Sequence, residues 1–279
     1  MKLNVPCYNI QMQFSDLISQ TGLIAAHRGN RSSAPENTLR AFSKSIGMCD
    51  FIELDVQLSH DGVVVVMHDD TLERTTDISQ RVEFASRKPW YVMELTLSEL
   101  KSLDAGSWFS RKDPFGETAK GCAGAYDAVP ERIPTLEETL RFARENDLLL
   151  NVEIKEMQGY YDDGTVVEKV LDAIDAQGCG KRVLLSSFCH EYMRIAKQCK
   201  PCIQASVLQE GEPPEQLVDY LRELGVDGYH CDDASVSKTL VQTLRKAGFF
   251  VGVYTVNDAE RRCELFEWGV NAVFTDFPG

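Results

Sequence analysis

Phe51-Ile52-Glu53-Leu54-Asp55-Val56-Gln57-Leu58 is the stretch on which the reading of this chain turns. Side chains alternate across a strand, so residues two apart share a face. Ile52, Leu54, Val56 and Leu58 make an apolar face, and Glu53, Asp55 and Gln57 make the opposite one. A second run, residues 148–155, repeats the pattern. Leu148, Leu150, Val152 and Ile154 lie on one side, with Asn151, Glu153 and Lys155 on the other. Strands of this kind are buried on both faces, and buried carboxylates are tolerated mainly when paired or bound to metal. Three carboxylates with one lysine among them point to a site for a hard cation.

Working outward from these runs, strand-length apolar segments recur at residues 23–27, 51–57, 148–155, 183–188, 203–208, 228–231, 249–256 and 272–275. Helical patterns follow them at 38–48, 136–146, 166–176, 191–198, 214–224, 235–247 and 258–268. Thr135-Leu136-Glu137-Glu138 is a capping box at one helix start. Strands alternating with helices imply a parallel sheet. Eight such strands in 279 residues favour a closed (β/α)8 TIM barrel over an open sheet. No glycine-rich dinucleotide fingerprint follows the first strand, which weighs against the doubly wound alternative. The chain is read as a single barrel domain over residues 1–279.

Two segments interrupt the alternation. Residues 63–67 form a further strand, joined to the 51–58 run by His60-Asp61-Gly62. Asp-Gly between alternating runs signals a hairpin, so a ribbon is expected to rise above the barrel mouth and bring His68 back beside Asp55. The second interruption, about residues 70–134, falls between the second and third barrel strands. It holds one short helix at 97–103, capped by Thr96 and Glu99, and the aromatics Trp90, Tyr91, Trp108, Phe109, Phe115 and Tyr126. An insertion at the active end of a barrel is expected to act as a lid or substrate wall.

Composition sets the outer limits. Hydrophobic residues make up 43% and charged residues 26%, the balance of a soluble globular protein. No apolar run is long enough to span a bilayer, and residues 1–20 lack the pattern of a signal peptide, so a cytoplasmic location is expected. The nine scattered cysteines are then expected to be reduced. Cys199-Lys200-Pro201-Cys202 has a redox spacing but no thioredoxin-like strand before it and no second pair to hold zinc. It is expected as half-buried thiols near a helix end. A net charge of −14 argues against nucleic acid and against stable association with an anionic membrane. The oligomeric state is left open.

In a barrel, function sits where the strands end. His27-Arg28-Gly29 ends the first strand, Glu53 and Asp55 lie near the end of the second, Glu153 and Lys155 end the third, and His68-Asp69 ends the ribbon. Each has a bland reading: a structural histidine, a salt-bridged barrel layer, a buried ion pair. Their convergence on one mouth is what sets them apart. Gly29 is expected to let the backbone approach a ligand closely. His60, His190 and His230 are expected to be structural.

The ordered set His27-Arg28-Gly29, Pro35-Glu36-Asn37-Thr38, Glu53-Leu54-Asp55, His68-Asp69 and Glu153-Ile154-Lys155 resembles the glycerophosphodiester phosphodiesterases. The likeness continues through residues 71–76, 103–108, 133–136 and 186–188 and Thr275-Asp276-Phe277-Pro278, and so covers nearly the whole chain from Leu23. The resemblance implies a barrel with an insertion after its second strand. It also implies divalent-metal-dependent hydrolysis of a small-molecule glycerophosphodiester to sn-glycerol 3-phosphate and an alcohol. Carried over, Glu53, Asp55 and Glu153 are the metal ligands for one Mg²⁺ or Ca²⁺, since an all-oxygen set disfavours zinc. His27 and His68 are the acid–base pair, with His27 as base by analogy. Arg28 and Lys155 are phosphate ligands. Tyr254 stands where the family often has tryptophan, and offers a ring face to the substrate. Three carboxylates against one dication, Arg28 and Lys155 leave one net positive charge, which answers how an acidic protein would attract a phosphodiester. The sequence has only Asp276 to Gly279 after its last strand, so residues 1–20 are expected to cover the place of an eighth helix, through Phe14, Leu17 and Ile18.

Other readings make distinct demands. A lysophospholipase D using a similar site on lipid needs an apolar patch around the mouth, which the aromatic insertion could supply. An amidohydrolase barrel needs a His-x-His pair on the first strand, where this chain has Arg28-Gly29 after His27. A non-catalytic binding protein would have lost a histidine or carboxylate, and none is lost.

Overall fold

The structure is a computed structural model that describes residues 12–116, 130–157 and 164–279. The apolar runs become β1 (Leu23–Ala26), β2 (Phe51–Leu58), β4 (Leu150–Ile154), β5 (Val183–Ser187), β6 (Gln204–Gln209), β7 (Gly228–Asp232), β8 (Phe250–Tyr254) and β9 (Ala272–Thr275). All pair in parallel in the order β1-β9-β8-β7-β6-β5-β4-β2, and β2 pairs with β1 to close the barrel. Closure leaves the eight barrel strands no free edge, and the helices packed around them account for the apolar residues on their outer side.

Between the strands run α1 (Leu39–Ser45), α4 (Leu136–Glu145), α5 (Thr165–Ala176), α6 (His190–Cys199), α7 (Leu217–Leu224), α8 (Lys238–Lys246) and α9 (Ala259–Trp268). Ile52, Leu54 and Val56 of β2 join one apolar cluster with Leu136 and Leu140 of α4. Val152 and Ile154 of β4 join it with Val166 and Val170 of α5. Each fully buried aliphatic side chain of this kind contributes roughly 1.5–3 kcal/mol. The α4 capping box forms as read: Glu138 N donates to Thr135 Oγ1, and Thr135 N donates to the Glu138 carboxylate at 2.8 Å. Three helices are clearly shorter than their patterns, α8 because Ser237 caps its start by accepting from Leu240 N. Gln216 lies in the left-handed region at φ 52°, which delays the start of α7, and Gly47 at φ 77° follows the end of α1.

The hairpin forms. β3 (Val64–Val66) lies antiparallel on β2, with Val56 opposite Val66, and Met67 N donates to Asp55 O at 3.0 Å. Beyond it, α2 (Leu97–Ser102) carries its Thr96/Glu99 capping box. The helix α3 (Ser107–Lys112) was not read from sequence, because six residues show no period. Its Trp108 and Phe109 are buried against Ala34 and Ala41. Val65, Met67, Leu72, Trp90 and Leu100 form a further small core. Trp90, Trp108 and Phe109 therefore do not supply an exposed apolar rim. Tyr126 lies outside the described residues.

Phe14 and Leu17 are buried, and Ile18 packs beside them. Their cluster holds Leu23, Phe51, Leu184 and Phe250, inward-facing residues toward the strand starts, and Phe274, which reaches on to the cavity at the mouth. Phe14 meets Phe51 edge-to-face at 5.1 Å. These residues thus plug the barrel floor, at the end away from the mouth. Among the described residues no helix is long and apolar enough to cross a membrane.

Candidate active site

Strand register builds the site. Asp55 pairs with Glu153 across β2 and β4, and Glu53 pairs with Asn151. Their side chains point into the barrel. One oxygen from each of Glu53, Asp55 and Glu153 lies within 4.8 Å of the others. Glu53 is 3% exposed and Asp55 1%. Arg28 N donates to Glu53 Oε2 at 2.8 Å, while buried Glu53 Oε1 accepts no hydrogen bond from the described residues. Asn37 Nδ2 donates to Asp55 Oδ2 at 2.8 Å. Lys155 Nζ donates to Glu153 Oε1 at 2.7 Å and lies 3.7 Å from Asp55 Oδ1.

The three carboxylates are electrostatically unequal. Burial, then the charges of Asp55 and Glu153, push Glu53 well above the usual carboxylate range, against the pull of Arg28. Burial and Asp55 raise Glu153, with Lys155 opposing. Burial would raise Asp55 too, but Arg28, His68, Lys155 and the bond from Asn37 outweigh it and lower it. An orphaned buried oxygen and two carboxyls raised by their neighbours fit a site for a dication, which would satisfy all three.

His27 and His68 both line the cavity beside these carboxylates, with Arg28 between β1 and α1. His27 Nδ1 lies 2.8 Å from Asp276 Oδ1, and His68 Nδ1 lies 2.6 Å from Asp69 Oδ1. Each ring therefore has its other nitrogen, Nε2, left for the cavity. Burial lowers the His27 pKa, and the Asp276 hydrogen bond opposes this only in part. The cavity has a volume of about 210 Å³ and is also lined by Phe188, Leu208, Glu210 and Tyr254. Phe188 and Tyr254 meet edge-to-face at 5.9 Å.

All eight residues singled out from the sequence (His27, Arg28, Glu53, Asp55, His68, Glu153, Lys155, Tyr254) gather at this one mouth. Seven of their neighbours were given no role from the sequence, although Glu36, Asn37 and Asp276 stand in the motifs that carry the resemblance. Glu36, Arg31, Arg74 and Asp276 form an ion-pair network around the histidines, Asn37 holds Asp55, and Glu210 and Phe188 form part of the wall. Asp276 could have been found by the strand-end rule, since it directly follows β9.

Two expectations change. Gly29 does not face a ligand: a Cβ there would meet Ala41 at 2.8 Å and Phe42 at 2.9 Å, so glycine is required for α1 to pack, and its φ is 78°. Cys199 and Cys202 are exposed rather than half-buried, because the turn after α6 points outward, and both are free. His230 is wholly enclosed in the barrel 4.9 Å from the Phe274 ring, and burial lowers it to about 3, so it stays neutral. His190 is pinned by Tyr220 Oη at 2.7 Å and Leu208 O at 2.9 Å, a structural role.

Comparison with known proteins places this geometry in context. The model of the glycerophosphoryl diester phosphodiesterase family matches residues 27–279. A glycerophosphodiester phosphodiesterase of Caldanaerobacter subterraneus is 34% identical, over 92% of this chain and 94% of its own. One from Bacillus subtilis is 31% identical, over 92% and 84%. Among solved structures, an Oleispira antarctica phosphodiesterase in complex with the product sn-glycerol-3-phosphate superposes with a TM-score of 0.75 at 28% identity, covering 92% of this chain and 93% of its own. The chain belongs to the glycerophosphoryl diester phosphodiesterase family.

Proposed function

We propose that this phosphoric diester hydrolase cleaves soluble glycerophosphodiesters to sn-glycerol 3-phosphate and an alcohol, with His27 and His68 as its acid–base pair. The observation that carries the reading is the convergence of three carboxylates within 4.8 Å on a cavity that both histidines and Arg28 also line. Glu53, Asp55 and Glu153 would hold one Mg²⁺ or Ca²⁺. When bound, that ion supplies a Lewis acid for a phosphoryl oxygen and offsets charge on the departing alcohol.

The chain's own residues do the rest. Arg28 and Lys155 bind the phosphate oxygens, Arg28 through its planar fork. His27, kept neutral by burial, accepts a proton at Nε2, while Asp276 on Nδ1 holds the ring in the tautomer this needs. His68 donates from its Nε2 to the leaving oxygen, steadied by Asp69. Tyr254 and Phe188, packed edge-to-face in the cavity wall, would bound the alcohol. Burial of Trp90, Trp108 and Phe109 supports a soluble ester over a lipid substrate. None of the seven described cysteines is in a disulfide, which is consistent with a reducing compartment.

The test is release of sn-glycerol 3-phosphate from a panel of glycerophosphodiesters with Mg²⁺, with Ca²⁺ and with excess chelator. Release that depends on metal is expected. No release with any ester or ion from folded protein would overturn the reading.

A further inference from the structure

Glu36 is buried, 6% exposed, and no fewer than three guanidiniums converge on it. Arg28 Nη1 donates to Oε1 at 2.8 Å and Arg31 Nη2 to Oε2 at 3.0 Å. Arg74 spans both oxygens, at 2.9 and 2.7 Å. One cation would neutralise the carboxylate, and three repel one another. The crowding is relieved further out. Arg31 Nη1 lies 3.3 Å from Asp276 Oδ1, and Arg74 grips Asp69 at 2.6 and 2.9 Å. Arg28 turns inward instead, its Nε 3.4 Å from Asp55 Oδ2, so across the network each of the three guanidiniums is shared between Glu36 and a second carboxylate.

Its two arms end on the two histidines. One runs Glu36, Arg31, Asp276, His27 Nδ1. The other runs Glu36, Arg74, Asp69, His68 Nδ1. We propose that Glu36 is a positioning residue that sets both histidines at once and couples them through these arginine–aspartate arms, with Arg28 as its third partner. The inference rests on the assignment of His27 and His68 as the acid–base pair. Coupling follows from shared ligation: an arginine that leaves Glu36 loads its aspartate more heavily and frees the carboxylate to tighten on the other arm.

The backbone is built for this placement. Arg28 and Asn37 both lie in the left-handed region, at φ 56° and 57°, and Asn37 N donates to Arg28 O at 3.0 Å. That closes the loop so that Glu36 reaches back over Arg28 while Thr38 caps α1. Non-glycine residues persist there only where the surroundings hold them.

The experiment follows the imidazole Nδ1–H resonances of His27 and His68 by NMR without substrate, beside steady-state kinetics. Glu36→Gln should move both resonances and lower kcat about 10- to 100-fold while the fold is retained. Arg31→Gln should move the His27 resonance strongly and the His68 resonance weakly, and that cross-effect should vanish in the Glu36→Gln background. Both resonances unmoved in Glu36→Gln, whatever the activity, would overturn the proposal. So would movement of one alone. If Glu36→Gln fails to fold, the cross-effect of Arg31→Gln on His68 decides by itself, and its absence overturns the coupling. Because the resonances are read without substrate, they stand even if the wild type hydrolyses no glycerophosphodiester, an outcome that would sink the functional reading instead.

Discussion

Removing one carboxylate from the cluster should stabilise the metal-free protein and abolish its response to metal. The perturbation is Glu53→Gln. Two unit charges 4.8 Å apart, the outer limit of spacing here, repel by about 3.5 kcal/mol at an effective dielectric of 20. Proton uptake by Glu53 and the charges of Arg28 and Lys155 already relieve part of this. Glutamine keeps an acceptor for Arg28 N and offers an amide donor where Glu53 Oε1 has no partner. The net gain expected is about 1–2 kcal/mol, or roughly 2–6 °C in Tm for a chain of this size. Metal acts in the opposite sense. At a hundred times its Kd a divalent cation should stabilise the wild type by about 2.7 kcal/mol and the variant far less. The assay is thermal unfolding of both proteins with chelator and with Mg²⁺ or Ca²⁺. The order of melting should invert between the two conditions. A metal-free variant that melts below the wild type, or an undiminished metal response, would refute the reasoning.

Other expectations are simpler to state. His27→Ala and His68→Ala should each lower kcat about 10²- to 10⁴-fold with unfolding unchanged, and near-normal turnover in either would remove that residue from the acid–base role. Burial raises Glu53 above 4.5 in the folded protein, so the metal-free fold should lose stability as pH rises through that raised value. The Tm gain from metal should accordingly grow as pH rises through that raised value, and a constant gain would contradict the assignment. Phe14→Ala should cost about 3–5 kcal/mol in urea unfolding, because it empties the barrel floor; a loss under about 1 kcal/mol would mean that the floor collapses without it. Cys199→Ser with Cys202→Ser should leave activity intact, and a large loss would revive a redox role.

Much of this molecule was legible in one dimension. Strand period alone sorted Glu53 and Asp55 from Ile52 and Leu54, and the barrel follows from eight repeats of that logic with helices between. The Asp61-Gly62 turn predicted the ribbon that returns His68 to the mouth, since hairpin geometry is local. Strand-end position then places the acidic and basic residues at one mouth.

Tertiary structure decided what depends on closure. Register across β2 and β4 sets Asp55 opposite Glu153, and no local preference specifies register between strands about a hundred residues apart. His27 meets Asp276 across 249 positions, and that pairing exists only because β9 closes against β1. Glu36 stands in a recognisable motif before a helix, but nothing local gives it a role; the fold surrounds it with Arg28, Arg31 and Arg74. Gly29 is required by Ala41 and Phe42 of a packed helix, not by a ligand. Periodicity says which way a side chain faces, because that is set by backbone geometry within a few residues. What it meets is set by how the barrel closes, and that is a property of the whole chain.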